Sequence, residues 1–307
     1  MPIVILETNV LHLKILPEAG ASIVAFAGRF DSGWVPLMRP TPPEAVTTLN
    51  PSLMSSFILA PWSNRLQDAQ FHFQGQHYGL RANTQHYAIH GDVRTRPWRI
   101  VANDAGSLTC ALDSREFPDF NFPFPLTAEI HYELAGSTFD TTLALTNIGA
   151  VPMPAGFGFH PYFNRAFGKR GADTAQLQLC VGGVYPPMPG GPMRPVPPDQ
   201  DFSQLTPVGA RVIDHCFGGW DGRATLAYPD AGVRLLFECD PTLGHVIIFT
   251  PPGKPFFAVE PVSHANNGFN LFADGQPGTG VQVLEPGQTL SGQFRLKVSR
   301  ENLAKGA

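Results

Sequence analysis

The sequence predicts an all-β fold of antiparallel strands, on three observations. Helical periodicity is nearly absent: no long stretch places apolar residues at i, i+3, i+4 and i+7 without an interrupting Gly or Pro. Short alternating runs recur along the chain. The 31 Gly and 31 Pro in 307 residues punctuate those runs, with no G-X-Y period. Many short strands with such punctuation favour a sandwich or a barrel-like domain.

In chain order, Phe71-His72-Phe73 alternates, Gln74-Gly75 follows as a turn, and Tyr78 and Leu80 resume the alternation, which reads as a β-hairpin. Leu126–Leu134 and Thr138–Thr146 form a second antiparallel pair around Ala135-Gly136. Val233–Phe237 and Val246–Phe249 are short β-rich runs, and Leu290–Val298 alternates again near the C-terminus. The stretch Tyr185–Pro198 holds seven prolines and Gly190-Gly191, so it lacks the donors of a central strand. It reads either as a linker between two domains or as a long excursion on one, with a place beside a binding cleft left open. Similar patterning on both sides favours one domain.

Composition excludes several function classes. The 21 Lys+Arg against 25 Asp+Glu give a net charge of −4, and no basic stripe exists to neutralise phosphates of a nucleic acid. Charged residues are 15%, against roughly 25% in an average soluble protein. The 43% apolar content and small net charge argue against global disorder. No apolar run is long enough to cross a membrane as a helix. Glu7 interrupts the place of a signal-peptide core. Cys110, Cys180, Cys216 and Cys239 form no CxxC pair and read as small buried residues in a reducing compartment, so a cytoplasmic location is expected.

Four segments combine polar, reactive side chains with rigid neighbours. They are Pro61-Trp62-Ser63-Asn64-Arg65, Ile89-His90-Gly91-Asp92, Gly156 to Asn164 (GFGFHPYFN), and Val259-Glu260-Pro261 followed by Asn266-Asn267-Gly268-Phe269-Asn270. His160 is the most informative: an imidazole between Phe159 and Pro161 in an aromatic stretch needs a partner and titrates near neutrality. A hydrogen-bonded core histidine is the rival reading. His72, His77, His86 and His90 crowd one region but match no H-E-x-x-H pattern, so a metal site is not expected. The G-x-S-x-G, P-loop and strand–helix G-x-G-x-x-G patterns are missing, which leaves hydrolase, NTPase and dinucleotide readings without support.

In order and spacing these segments resemble the aldose 1-epimerase (galactose mutarotase) family. The likeness runs from Asn64-Arg65 through His90-Gly91, Phe122-Pro123-Phe124, Asn147 with Pro152 and Pro154, and the His160-Pro161-Tyr162-Phe163-Asn164 run. It continues through Asp214-His215-Cys216-Phe217 with Trp220-Asp221-Gly222, to Glu260-Pro261 and Phe269-Asn270. It covers about residues 15 to 298. The resemblance implies one large antiparallel β-sandwich domain spanning 1–307, a galactose mutarotase-like supersandwich. It implies a sugar cleft on one face, no cofactor and no metal. The expected assembly is a monomer or homodimer, with no nucleic-acid or membrane partner. By position it implies Glu260 as general base and His160 as general acid. Arg65, His90 and Asp214, with Asn64 beside Arg65, would hold the sugar.

The chemistry of anomer interconversion explains the pair. Opening a cyclic hemiacetal removes the O1 proton and protonates the ring oxygen O5. A carboxylate suits the first task and a protonated imidazole the second, each typically worth ~10²–10⁴ in rate. At neutral pH an ordinary Glu is ionised, and a neighbouring carboxylate is expected to raise His160 so that it is protonated. Arg65 offers a fixed fork of donors, and Trp62 or a Phe would stack on a pyranose face or belong to the core. Galactose-acting members often carry a Gln where Gly244–Thr250 has none, which weakens a galactose preference. Arg65, Arg94 and Arg96 keep a hexose 6-phosphate substrate open. A sugar-binding protein without turnover on the same scaffold is the third reading.

Overall fold

A computed structural model describes residues 2–167 and 175–300. The fold is all-β and antiparallel, as expected. Four strands at the N-terminus, Val4–Glu7, Leu11–Leu16, Ser22–Phe30 and Gly33–Pro36, pair in chain order. A nine-stranded sheet runs Arg99–Asn103, Ser107–Asp113, Leu126–Ala135, Thr138–Asn147, Thr289–Arg300, Val233–Cys239, Arg223–Tyr228, Gln176–Leu179 and Thr206–Pro207. A seven-stranded sheet runs Gly183–Val184, Asp214–Gly218, His245–Phe249, Phe256–Val262, Gly158–Phe159 and Ile58–Leu59, with Tyr162–Asn164 also paired to Phe256–Val262.

The two hairpins expected from sequence are present. Leu126–Ala135 pairs with Thr138–Asn147 over their full lengths, from Leu126 opposite Asn147 to Ala135 opposite Thr138. Gln70–Phe73 pairs with Gln76–Gly79 across Gln74-Gly75, whose φ values of 50° and 74° match the two left-handed positions of a type I′ turn. His72 and His77 face each other on the solvent side of that hairpin, ring centroids 5.0 Å apart.

The period of two along a strand separates the two faces of the seven-stranded sheet. Phe217, Val246, Ile248, Phe257 and Val259 point to the main core, which they share with Phe237, Phe294 and Leu296 of the nine-stranded sheet. Phe163 meets Phe237 at 5.4 Å and Phe159 meets Phe294 at 5.8 Å between centroids. Burying each such ring stabilises the sandwich by roughly 1.5–3 kcal/mol. The alternate residues Cys216, Ile247, Ala258 and Val262 point the other way, into a second cluster with Phe57, Leu59, Tyr162, Tyr185 and Leu271. Both faces of this sheet are therefore covered, and the side chains of Asp214 and Glu260 lie on the second one.

The Pro-rich segment does not enter a sheet beyond one bridge between Val184 and Arg194. Its Pro189 carbonyl accepts a hydrogen bond from Asn267 Nδ2 at 2.7 Å, and the Tyr185 hydroxyl donates to the Gly278 carbonyl at 2.8 Å. Cys110 and Cys216 are buried as expected, whereas Cys180 is exposed, a correction explained by its place just past the end of Gln176–Leu179. No helix among the described residues is long and apolar enough to cross a membrane.

Candidate active site

Register places the acidic residue. Glu260 stands opposite Ile247, two residues from Ala258 and Val262, so its side chain shares the second face of the seven-stranded sheet. Asp214 pairs with Phe249 at the end of the neighbouring strand and faces the same way. His160 lies between Gly158–Phe159 and Tyr162–Asn164, and its N–H donates to the Phe57 carbonyl at 2.9 Å.

The segments around Arg65 and His90 are laid over this face by close backbone contacts. Gly91 has φ +67°, and a Cβ there would sit 1.8 Å from the Ala60 carbonyl oxygen. Only glycine lets the His90-Gly91 turn press against Ala60. His264 bolts the other side. Its Nε2 accepts the Ser63 N–H at 3.0 Å and its Nδ1 donates to the Ala265 carbonyl at 2.7 Å, which fixes the neutral tautomer. Asn267 adds a second fastening, its N–H donating to the Arg65 carbonyl at 3.0 Å and its Oδ1 accepting from Gln67 N–H at 3.1 Å.

These elements enclose a cavity of about 270 Å³, just below the ~300 Å³ at which drug-sized pockets begin, so it suits one small polar molecule. Glu260, His160, Asp214, Arg65, Asn64 and His90 all line it, together with Ser52, Phe57, Asn83, Thr84, Ile89, Arg94, Tyr162 and Phe249. The two residues proposed from sequence for proton transfer and the four proposed for polar sugar contact thus reach one cavity. Trp62 does not: it is fully buried and its indole N–H donates to the Ala88 carbonyl at 3.2 Å. No residue of Tyr185–Pro198 lines the cavity either.

His160 Nε2 lies 3.2 Å from Glu260 Oε1, with the two side chains 5% and 2% exposed. Phe57 stacks on the imidazole at 4.5 Å, and His90 meets it edge-on at 5.2 Å. Glu260 Oε2 and His90 Nδ1 are buried with no hydrogen-bond partner among the described residues. At the rim, Arg65 Nη2 bonds Asp214 Oδ2 at 3.2 Å, and Asn64 Oδ1 accepts from both the Arg65 N–H (2.7 Å) and its Nη1 (3.3 Å).

Burial reverses the protonation expected from sequence. The Glu260 carboxyl is held well above its ordinary value, first by desolvation and then by Asp214, with Arg65 opposing. His160 is pushed well below its ordinary value by desolvation and by the charges of Arg39 and Arg94. His90 moves the same way, through desolvation and the neighbouring His160, Arg94 and Arg65. The carboxylate beside His160 does not raise it, because burial opposes charge on both partners. The pair instead favours one shared proton and no net charge.

Sequence reasoning missed Phe57 and His264. Phe57 carries no local signal, being one apolar residue in an apolar run. His264 sits between two segments already singled out, and only the fold shows its ring filling the space that Gly156 leaves open, 1.9 Å from where a Cβ would be. Among the described residues no group of three or more His, Cys, Asp or Glu is placed to hold a metal ion.

Comparison with known proteins identifies the family. Residues 15–297 match the family described as aldose 1-epimerase. The uncharacterized protein YphB of Escherichia coli (strain K12) is 27% identical over 277 residues, covering 86% of this chain and 89% of that one. The uncharacterized protein YihR of the same strain is 30% identical over 228 residues, covering 71% and 72%. The crystal structure of a putative aldose 1-epimerase from Escherichia coli K12 superposes with a TM-score of 0.82 at 26% identity, covering 98% of this chain and 99% of that one. With the family model matching nearly the whole chain and the fold superposing on that structure, the chain belongs to the aldose 1-epimerase family.

Proposed function

We propose that this protein interconverts the α- and β-anomers of a reducing aldose by acid–base ring opening in the Glu260–His160 cavity. The observation that carries the reading is the 3.2 Å contact between a buried carboxyl and a buried imidazole, both facing one small polar cavity. In the forward step the Glu260 carboxylate takes the proton of the anomeric O1. His160 Nε2–H protonates ring oxygen O5, and the C1–O5 bond breaks to leave an open-chain aldehyde. Half a turn about C1–C2 presents the other carbonyl face. O5 then attacks C1 and returns its proton to His160, while Glu260 protonates the carbonyl oxygen. No proton is gained or lost over the cycle.

The two protonation states the reaction needs are tautomers of the same pair: carboxylate with imidazolium, and carboxylic acid with imidazole. Their direct contact lets one proton cross between them without water. The dry site favours the neutral tautomer, and a bound sugar with its hydroxyl dipoles restores the ion pair for the forward step. Arg65, Asn64, His90 and Asp214 supply donors and acceptors at the mouth for ring hydroxyls. The absence of a Gln from Gly244–Thr250 leaves Phe249 at that wall, an apolar surface for a pyranose face. Four unpaired cysteines fit the reducing, cytoplasmic setting.

Exchange NMR on equilibrated anomers tests the reading with α-D-glucose, α-D-galactose, D-glucuronate and D-glucose 6-phosphate, each against Glu260→Gln as background. Acceleration of at least one sugar by the wild type alone is expected. If Glu260→Gln accelerates as well as the wild type, Glu260 is not the base; if neither accelerates any sugar, the proposed reaction is wrong and a binding role takes its place.

A further inference from the structure

The three arginines that left a phosphorylated substrate open have different fates. Arg96 is committed to Asp92 (2.7 Å) and Asp119 (2.7 Å) and does not line the cavity. Arg65 is paired with Asp214. Arg94 lines the cavity, is 8% exposed, and has no carboxylate at ion-pair distance among the described residues. Its Nη1 donates to Ser52 Oγ at 2.9 Å, and its Nε is buried with no partner. A second buried guanidinium, Arg39, converges on the same loop. It donates to the Met54 carbonyl at 2.9 Å and to the Ser52 carbonyl at 2.5 Å, stacked 3.4 Å over Tyr162. Arg39 is satisfied by carbonyls and aromatic faces, but Arg94 has one hydroxyl and the Phe57 ring at 5.4 Å.

A buried guanidinium is costly unless paired, and Arg94, which lines this end of the cavity, makes no ion pair among the described residues, Asp92 acting on it only at longer range. The Asp92 carboxylate, the acid closest in sequence, is already taken by Arg96. The distances from Arg94 to Phe57 and from Phe57 to His160 place the guanidinium within about 10 Å of the reacting imidazole. That separation suits a group carried on the far side of a pyranose whose anomeric carbon lies at the His160–Glu260 pair. We propose, resting on the mutarotase reading above, that Arg94 and Ser52 form an anion subsite and that the substrate is an acidic aldose, bearing a carboxylate or a phosphate-like oxyanion. The planar fork of Arg94 matches such an oxyanion.

Exchange NMR compares D-glucuronate and D-glucose 6-phosphate with D-glucose, for the wild type, Arg94→Gln and Arg94→Lys. The wild type is expected to favour an acidic sugar in kcat/KM, with the preference shrinking as salt rises. Arg94→Gln is expected to cut the acidic-to-neutral ratio by about 10- to 100-fold, the worth of a charge-assisted contact, and Arg94→Lys to restore part of it. A wild type that prefers glucose overturns the subsite and leaves the mutarotase reading intact. So does an Arg94→Gln that slows all sugars alike. No acceleration of any sugar removes both. Should Arg94→Gln not fold, the wild type still decides: inorganic phosphate is expected to compete with sugar turnover beyond the effect of chloride at equal ionic strength. Phosphate acting no better than chloride overturns the subsite.

Discussion

The two large sheets share one core but differ in what a polar residue costs on them. On the nine-stranded sheet, Leu126–Ala135 and Thr138–Asn147 alternate between buried and open positions, so Glu129 and Glu133 stand in solvent. On the seven-stranded sheet, Phe256–Val262 is buried at every position after the first, and His245–Phe249 at every position before the last. A carboxylate in the first setting is ordinary surface. In the second it is desolvated, and it persists only beside a partner or for a task. Glu260 stands out as a candidate because its neighbours in the strand are Val259 and Pro261 and both faces are closed.

The sharpest way to break this comparison is to make the same change on both sheets. Glu260→Gln is expected to lower turnover by ~10²–10⁴, the usual worth of a positioned proton-transfer group, and to leave the fold intact because the amide fills the same space. Glu129→Gln and Glu133→Gln are expected to change neither rate nor stability measurably. Equal losses from all three substitutions would mean that the dry sheet confers nothing special, and the reacting group would have to be sought elsewhere.

The histidines extend the contrast to stability. His264 is fully buried between Ser63 and Ala265, and desolvation pushes it down to about 4. A lowered histidine contributes stability above its unfolded value of 6.5, and that stability is lost as pH falls through about 4. The difference amounts to on the order of 3 kcal/mol. His264→Phe strands the Ser63 N–H and is expected to cost about 1–3 kcal/mol near pH 7.5. It also removes the titration, so the gap to wild type narrows toward pH 4. Urea midpoints at both ends of that range check this, with His131 on the nine-stranded sheet, half exposed, as the control substitution. A gap that stays constant would show that His264 is not the acid-sensitive element.

The same dry setting shapes the pH profile of turnover. The pair works when it holds one proton. An unshifted Glu and His would confine that state to the window from 4.5 to 6.5. Protonating His160 while Glu260 is neutral is opposed by burial, so the acid limb falls below 6.5. Ionising Glu260 beside a neutral His160 is opposed likewise, so the alkaline limb lies above 4.5. The limbs of the kcat/KM bell belong to the pair and not to either residue, and the roles of the two ordinary values are exchanged: the acid limb is set by His160 below 6.5 and the alkaline limb by Glu260 above 4.5. An acid limb above 6.5 or an alkaline limb below 4.5 would argue that burial does not set the protonation of the pair.

The contrast also explains what the sequence made legible. Leu126–Ala135 and Thr138–Asn147 were readable because alternation is loud when one face meets water. The seven-stranded sheet was only partly readable: Val246–Phe249 stood out as β-rich, but nothing local assigned its faces, because strands buried on both sides lose their alternation. The N-terminal four-stranded sheet went unread for a similar reason, with Ser22–Phe30 mixing small residues and phenylalanines without strict period. Glu260, His160, Arg65, His90 and Asn64 stand out as polar residues in rigid surroundings, Asp214 comes from the family resemblance alone, and all six reach the cavity. Their protonation was misjudged, because proximity of Glu260 to His160 was inferable from the resemblance while the dryness around both was not. Phe57 and His264 needed the fold.

The smallest expected effects arise at the rim, where the site meets water. Arg65 and Asp214 are 29% and 44% exposed, so their ion pair contributes little to stability and neither Arg65→Ala nor Asp214→Asn is expected to move Tm noticeably. Their influence on Glu260 has opposite signs: Asp214 raises its pKa and Arg65 lowers it. Removing Arg65 therefore leaves the carboxyl protonated to higher pH, and the alkaline limb of the turnover bell moves up. Removing the Asp214 charge lets it ionise earlier, and the limb moves down. Arg65→Ala also takes a fork of donors from the mouth and is expected to raise KM by about tenfold, roughly one hydrogen bond's worth. A pH series of kcat/KM for both variants reads the two shifts directly. Shifts of the same sign would mean that the rim acts on the buried pair through structure, and the separation between a dry reacting pair and a solvated rim would not hold.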